Sequence, residues 1–226
     1  MTMREALPYT TRLVRALESE DESVRLRAAL AAGTDPDPGY VGTLVARCAV
    51  EPEFGVREML TWALLRHPEA VTVPPLVAAL RTEPAQARAQ ALHTLSKIAD
   101  PATWEAITPA LLDDPDDEVA RTAWRTAVVL VPEGGEAALA VALSAQFGRG
   151  DLDVRLSLSR ALIALGDAAL PVLARKEEDA DPEVRAHALA TARLRQDPSL
   201  GFASVIDAAK RAVALGPDGP PGPPQG

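Results

Sequence analysis

Short acidic turns alternate along this chain with helix-length stretches in which apolar positions return every three or four residues. Take the first residue of the dipeptide Val-Arg as position 0. Apolar or small residues then recur at +4, +5 and +8, as in Val154, Leu158, Ser159 and Leu162, or in Ala87, Ala91, Leu92 and Leu95. That spacing marks one face of a 3.6-residue period and predicts an amphipathic helix. The anchor stands at Val24-Arg25, Val56-Arg57, Val154-Arg155 and Val184-Arg185, with Ala87-Arg88 and Val119-Ala120-Arg121 as degenerate copies. Successive anchors are 32, 31, 32, 35 and 30 residues apart. A period near 31 holds two helices of about 12 residues and two turns, so each unit is predicted to be a helical hairpin. One hairpin cannot cover its own apolar face, so neighbours must stack.

The first helices of the six hairpins are expected at 7–18, 39–50, 74–81, 102–112, 137–147 and 168–177. The second helices are expected at 22–32, 54–66, 85–99, 118–130, 154–165 and 182–194. Pro74-Pro75 is read as a helix start, where the missing N–H groups lack partners anyway. The turns SEDE (19–22) and DDPDD (113–117) offer Ser and Asp caps and place carboxylates at the positive end of the next helix. A last helix at 200–215 lacks a Val-Arg partner and is expected to cap the open end of the stack. The closing GPDGPPGPPQG (216–226) has nothing to bury and is expected to be disordered or extended. The organisation expected is one α-solenoid over residues 1–215 followed by that Pro/Gly-rich tail.

Composition agrees with an all-α fold. Hydrophobic residues make up 47% of the 226 residues but aromatic ones only 4%, so the core must be built from Ala, Leu and Val, which lets helix axes approach closely. A formal net charge of −9 opposes sequence-independent nucleic-acid binding, which needs clustered cations to neutralise phosphates. Cys48 is the only cysteine, which excludes an internal disulfide and a thiolate metal cluster; in its apolar run it reads as a small buried hydrophobe. The N-terminus lacks the apolar region of a signal peptide and no run has the length of a membrane span, so a cytoplasmic setting is the expectation.

The repeated skeleton Asp-x-Asp/Glu-x-Val-Arg-x-x-Ala-x-x-Ala-Leu resembles the second half of a HEAT repeat, and its short period resembles the bacterial HEAT-like class. It is carried by EDESVRLRAAL (20–30), DLDVRLSLSRAL (151–162) and DADPEVRAHAL (179–189). The resemblance extends over about residues 7–195. The Trp, Leu-Gly and Tyr of the tetratricopeptide pattern and the Thr-Pro-Leu-His of the ankyrin pattern do not recur. The resemblance implies that the arginine after each anchor, as in Arg25, Arg57, Arg88, Arg155 and Arg185, bonds with turn carboxylates between repeats. HEAT-like repeats of similar length also occur in alkylpurine DNA glycosylases, and related repeats in bilin lyases. A glycosylase would require a basic DNA-facing wall and an acid beside aromatics, for which Glu58 near Trp62 is the one candidate.

Catalytic patterns are otherwise sparse. His67, His93 and His187 share no metal-ligand spacing, and the phosphate-binding and nucleophile-elbow glycine motifs are missing. Acidic residues such as Glu51, Asp114, Asp151 and Asp179 fall in or beside turns and read as solvated caps on the rims. No metal or cofactor is expected.

The face left for a purpose of its own is the stripe at +3, +6 and +10 of the second helices. Its +6 row runs Leu30, Trp62, His93, Arg125, Arg160, Ala190, and its +10 row adds Arg66 and Lys97. With helix spacings of about 8–10 Å, Trp62, Arg66, His93, Lys97, Arg125 and Arg160 are expected to form one strip on the concave wall. In repeat six the same face, His187 and Ala190, is expected to be solvent-facing and nearly blank. Arg and Trp are common interface anchors, so the strip is read as docking an acidic or phosphorylated segment of another protein. The competing reading makes the arginines solubility chemistry and Trp62 a packing residue. The expectation is a non-catalytic interaction scaffold or regulatory adaptor, with neither nucleic acid nor membrane as partner.

Overall fold

The computed structural model describes residues 9–215; the 216–226 tail expected to be disordered lies outside them. Among the described residues every regular element is helical, and they fall into two compact units that divide between Ile107 and Thr108.

In the first unit, α1 (Tyr9–Leu17) pairs with α2 (Glu22–Thr34), α3 (Val41–Cys48) with α4 (Phe54–Leu65), and α5 (Glu69–Ala79) with α6 (Ala85–Ile98). The second helices stack in the order α2, α4, α6, and α3 packs on α5. Leu17, Leu44, Val56, Leu60, Leu64, Leu92 and Leu95 are buried in this stack, with Ala28, Ala29, Ala32 and Ala63 set between the axes. A 3-10 segment, Pro101–Ala106, follows α6.

In the second unit, α7 (Pro109–Leu112) pairs with α8 (Asp117–Leu130), α9 (Glu136–Ser144) with α10 (Leu152–Ala164), and α11 (Leu170–Glu177) with α12 (Pro182–Gln196). α8, α10 and α12 stack, and α13 (Phe202–Leu215) packs on α12 and touches α10. Trp124, fully buried on α8, donates its indole N–H to the Leu112 carbonyl at 2.8 Å and so fixes α7 to α8.

The anchor dipeptide recurs because each copy closes its turn in a similar way. Asp21, Asp116, Asp151 and Asp181, three residues before their anchors, cap α2, α8, α10 and α12 by accepting backbone N–H groups of the first turn. Two residues earlier, Ser19, Glu51, Asp114 and Asp179 each accept the backbone N–H two residues on. The arginine after the anchor then turns back. Arg25, Arg57, Arg88 and Arg185 each donate from Nη1 to two successive carbonyls of their own turn, at 2.6 to 3.0 Å. Arg155 closes its turn differently, donating from Nη2 to the Gly148 carbonyl at 2.9 Å and from Nε to that of Gly150 at 3.2 Å.

The anchor arginines bond carbonyls of their own turns in addition to the expected turn carboxylates between repeats, where Arg25 reaches Glu51 and Arg155 reaches Glu183. Three expectations are corrected. α5 begins at Glu69, so Pro74 and Pro75 lie inside it. The N–H bonds they forgo leave the carbonyls of Ala70 and Val71, on exposed and half-buried residues that water can serve. The single helix expected over 102–112 is broken, because Pro109 forces Thr108 into an extended conformation with ψ 157°. Finally, Glu51 and Asp114 are buried rather than solvated.

Candidate functional site

The first unit brings four of the expected strip residues onto α4 and the end of α6. Glu58, Trp62 and Arg66 are spaced by four along α4 and its last turn, and His93 and Lys97 by four along α6, so each set shares one helix face. Trp62 keeps 37% of its surface exposed while its ring lies on α2. Gly33 makes that possible. A β-carbon there would stand 2.3 Å from the indole Cζ3 and 2.9 Å from the Ala63 Cα, so only glycine lets α2, α4 and the indole come together. Arg66 and Lys97 are exposed, and their side chains have no hydrogen-bond or ion-pair partner among the described residues. His93 is half-buried, its Nε2 3.4 Å from Glu58 Oε1. Glu58, the acid that the glycosylase resemblance would need, thus stands close to His93, one turn from Trp62.

In the second unit, Arg125 on α8 and Arg160 on α10 are both exposed. Arg125 folds back on its own helix, donating to Thr122 Oγ1 at 2.9 Å with Glu118 3.8 Å away. Glu118 also lies 3.5 Å from Arg121, whose Nε donates to Ser157 of α10. Arg160 is different: no described group pairs with it, and it borders an open cavity of about 340 Å³ lined by Leu156, Ile163, Leu194, Leu200 and Phe202.

Repeat six departs from expectation. Ala190 is fully buried because α13 covers that face of α12, where Phe202, Val205, Ile206 and Ala209 pack on Ala186, Ala190 and Leu194; His187 is fully buried chiefly against repeat five, beside Phe147, Ser159 and the Arg155 carbonyl. Val184 and Leu189, expected to build the stack, are only half-buried. The signal for this was in α13 itself, whose apolar residues 202, 205, 206 and 209 form one stripe that needs a partner face.

Burial also creates a polar cluster that sequence spacing did not reveal. Ser159, His187 and Thr191 are fully buried, with Ser159 Oγ 3.1 Å from His187 Nε2 and 2.7 Å from Thr191 Oγ1. The pair looks like a nucleophile with its base, but the ring's other nitrogen decides otherwise. Nδ1 accepts the backbone N–H of Gly148 at 3.1 Å, so the proton sits on Nε2, which faces the Arg155 carbonyl at 3.0 Å. A protonated Nε2 cannot take the serine proton. Burial pushes the imidazole down to about 4; its bond to the Arg155 carbonyl opposes this and the Arg155 charge adds to it. Phe147 and Phe202 meet the ring edge-on.

A second buried cluster ties repeats one to three. Glu51 accepts from Nε and Nη2 of Arg25, each at 2.8 Å, and from Nε of Arg47 at 2.8 Å, while Gln86 of α6 donates to its carbonyl. Burial alone would raise its carboxyl; the hydrogen bonds from Arg25, the Glu53 N–H and Arg47 outweigh that and hold it at about 2. Cys48 is buried nearby, and burial with the Glu51 charge pushes its thiol up to about 12, so it is a packing residue. His67 is buried as well, spanning the Ala63 and Asp37 carbonyls. Among the described residues no three His, Cys, Asp or Glu side chains gather into a metal-binding group, and no helix is long and apolar enough to cross a membrane.

Among solved structures, one engineered protein is 18% identical over 85% of this chain and 100% of its own, with a TM-score of 0.46. A second engineered protein is 20% identical over 90% of this chain and 98% of its own, with a TM-score of 0.45. Human deoxyhypusine hydroxylase, in complex with glycerol, is 17% identical over 91% of this chain and 94% of its own, with a TM-score of 0.45. No curated protein matches the chain. The family model for HEAT repeats matches residues 10–91 and 52–128. Those matches run through the first four anchors, each with the turn closure described above or a degenerate form of it, and the chain belongs to the HEAT-repeat family.

Proposed function

We propose that this HEAT-repeat protein is a non-catalytic adaptor that docks acidic or phosphorylated segments of other proteins on the open faces of its second helices. One observation carries the reading. Trp62 is clamped on Gly33 with its outer surface exposed, and Arg66 and Lys97 are exposed on α4 and α6 with no carboxylate among the described residues attending them. A rigid aromatic offers apolar contact at little entropic cost, and unpaired cations need no internal ion pair broken before they meet a carboxylate or phosphate. Arg125 and Arg160 present the same charge on the second unit, with Arg160 the freer of the two. Lys97 and Arg66 supply charge and Trp62 supplies apolar contact.

Screening degenerate phosphoserine and glutamate-rich peptide libraries against the protein tests this. Selected peptides are expected to lose about ten-fold or more in affinity with Arg66→Glu/Lys97→Glu. Binding that survives that double variant and also Arg125→Glu/Arg160→Glu would refute the reading.

A further inference from the structure

The arrangement of α13 on α12 points to the ligand chemistry of the neighbouring surface. α13 occupies the face of α12 at +2, +6 and +10 from the anchor, Ala186, Ala190 and Leu194, through Phe202, Val205, Ile206 and Ala209. The second-helix face that is open on α8 and α10 therefore accepts a helix when its side chains are apolar. On α10 the equivalent positions begin with Leu156 and Arg160. Leu156 and Ile163 only edge onto α13 and remain half-buried, and beyond them the surface is open.

We propose that this corner of α10, α12 and α13 receives an amphipathic helical segment of a partner, with one large apolar side chain in the cavity beside Phe202 and a carboxylate on Arg160. The inference rests on the reading that acidic segments are the ligands, and adds the apolar side chain and the helical form. The cavity, about 340 Å³ and lined by Leu156, Ile163, Leu194, Leu200 and Phe202, is open on one side, so it takes a side chain while the ligand backbone stays outside. Of the cations on α10, α12 and α13, Arg155 and Lys210 both hold Glu183, at 2.7 and 3.0 Å, and Arg195 holds Asp167. Arg160 alone lines the cavity as an unpaired cation. Toward α8 the surface continues with Arg125 and with Val129, which is exposed. A helix lying beside α13 would thus meet apolar residues along one edge and cations along the other, the pattern of groove-bound amphipathic helices.

Two fluorescein-labelled amphipathic peptides test it, identical in their leucine stripe but flanked by Glu in one and Lys in the other. Their fluorescence anisotropy is followed with the full chain. The Glu peptide is expected to bind about ten-fold tighter than the Lys peptide, and Arg160→Glu is expected to reverse that order. Leu156→Asn is expected to weaken the Glu peptide while leaving the charge preference intact. An unchanged preference in Arg160→Glu would overturn the proposal. Loss of Glu-peptide binding in Arg66→Glu/Lys97→Glu with none in Arg160→Glu would overturn it too, yet leave the acidic-segment reading standing. Binding of decanoate with neither peptide bound would assign the cavity to a small amphiphilic acid and overturn the helix. If neither these peptides nor the phosphoserine and glutamate-rich libraries bind, both readings fall.

Discussion

Trp62 rests directly on Gly33, so closely that a β-carbon at residue 33 would overlap the six-membered ring of the indole at 2.3 and 2.7 Å. Alanine is the better helix former by roughly 1 kcal/mol, but an added methyl in a filled contact costs about 1–3 kcal/mol. The neighbouring backbone, with the Ala63 Cα 2.9 Å from the same point, leaves little room to yield. Gly33→Ala is therefore expected to destabilise the protein by about 1–2 kcal/mol in urea unfolding and to shift the Trp62 emission. Unchanged stability and emission would contradict the contact.

Glu51 is the buried acid that joins Arg25 and Arg47. Replacing it with alanine strands Arg25 in the interior and is expected to cost about 3–5 kcal/mol. Its carboxyl is held near 2 in the fold against a usual 4.5. The stabilisation it contributes is therefore full above about pH 4.5 and disappears as pH falls through 2, a change of roughly 3 kcal/mol. Urea midpoints measured across that window should fall in the native protein and change less in Glu51→Ala.

Much of this fold was legible because it is written as a period. All six second helices start within two residues of the expected position: Asp21, Asp116, Asp151 and Asp181 cap four of them, and the anchor arginine closes the turn at five. The first helices were read less well, since no anchor marks them; α5 hid behind Pro74-Pro75, and the stretch before α7 was broken by a single Thr-Pro step. The exposure of Trp62, Arg66, Lys97, Arg125 and Arg160 followed from helix phase. The burial of Ala190 did not, because a face is covered only if another element comes to it, and α13 lies more than ten residues downstream. Pairing was equally hidden: Arg125 and Arg160 occupy the same repeat position, and only side-chain geometry separates the self-tethered one from the free one.

His187 should remain neutral under ordinary conditions. Its folded value lies near 4, below the usual 6.5, so the unfolded chain takes up a proton first as pH falls. Stability from this group is full above about pH 6.5 and lost progressively toward 4, by roughly 3 kcal/mol. Histidine NMR across pH 4–8 is expected to show the Nε2–H tautomer and no titration of His187 near 6.5. A normal titration there would contradict the Gly148 N–H to Nδ1 bond.

The anchor arginine is expected to matter through backbone rather than charge. Arg57 donates to the Glu51 and Pro52 carbonyls and has no carboxylate partner among the bonds that close its turn. Arg57→Ala should destabilise by about 1–3 kcal/mol, the cost of leaving such acceptors unmet, and added salt should change that loss little. A loss that vanishes in high salt would mean that a surface ion pair had been removed instead.

The central claim is that an acidic segment binds the exposed faces of α4 and α6 that carry Trp62, Arg66 and Lys97. Titrating a peptide selected from the phosphoserine library against the native protein and against Trp62→Ala, Arg66→Glu and Lys97→Glu measures it directly, at low and at physiological salt. The account predicts that each variant loses affinity, that the two charge reversals together lose about ten-fold or more, and that the unphosphorylated peptide binds more weakly. Equal affinity across the native protein and all three variants would contradict it.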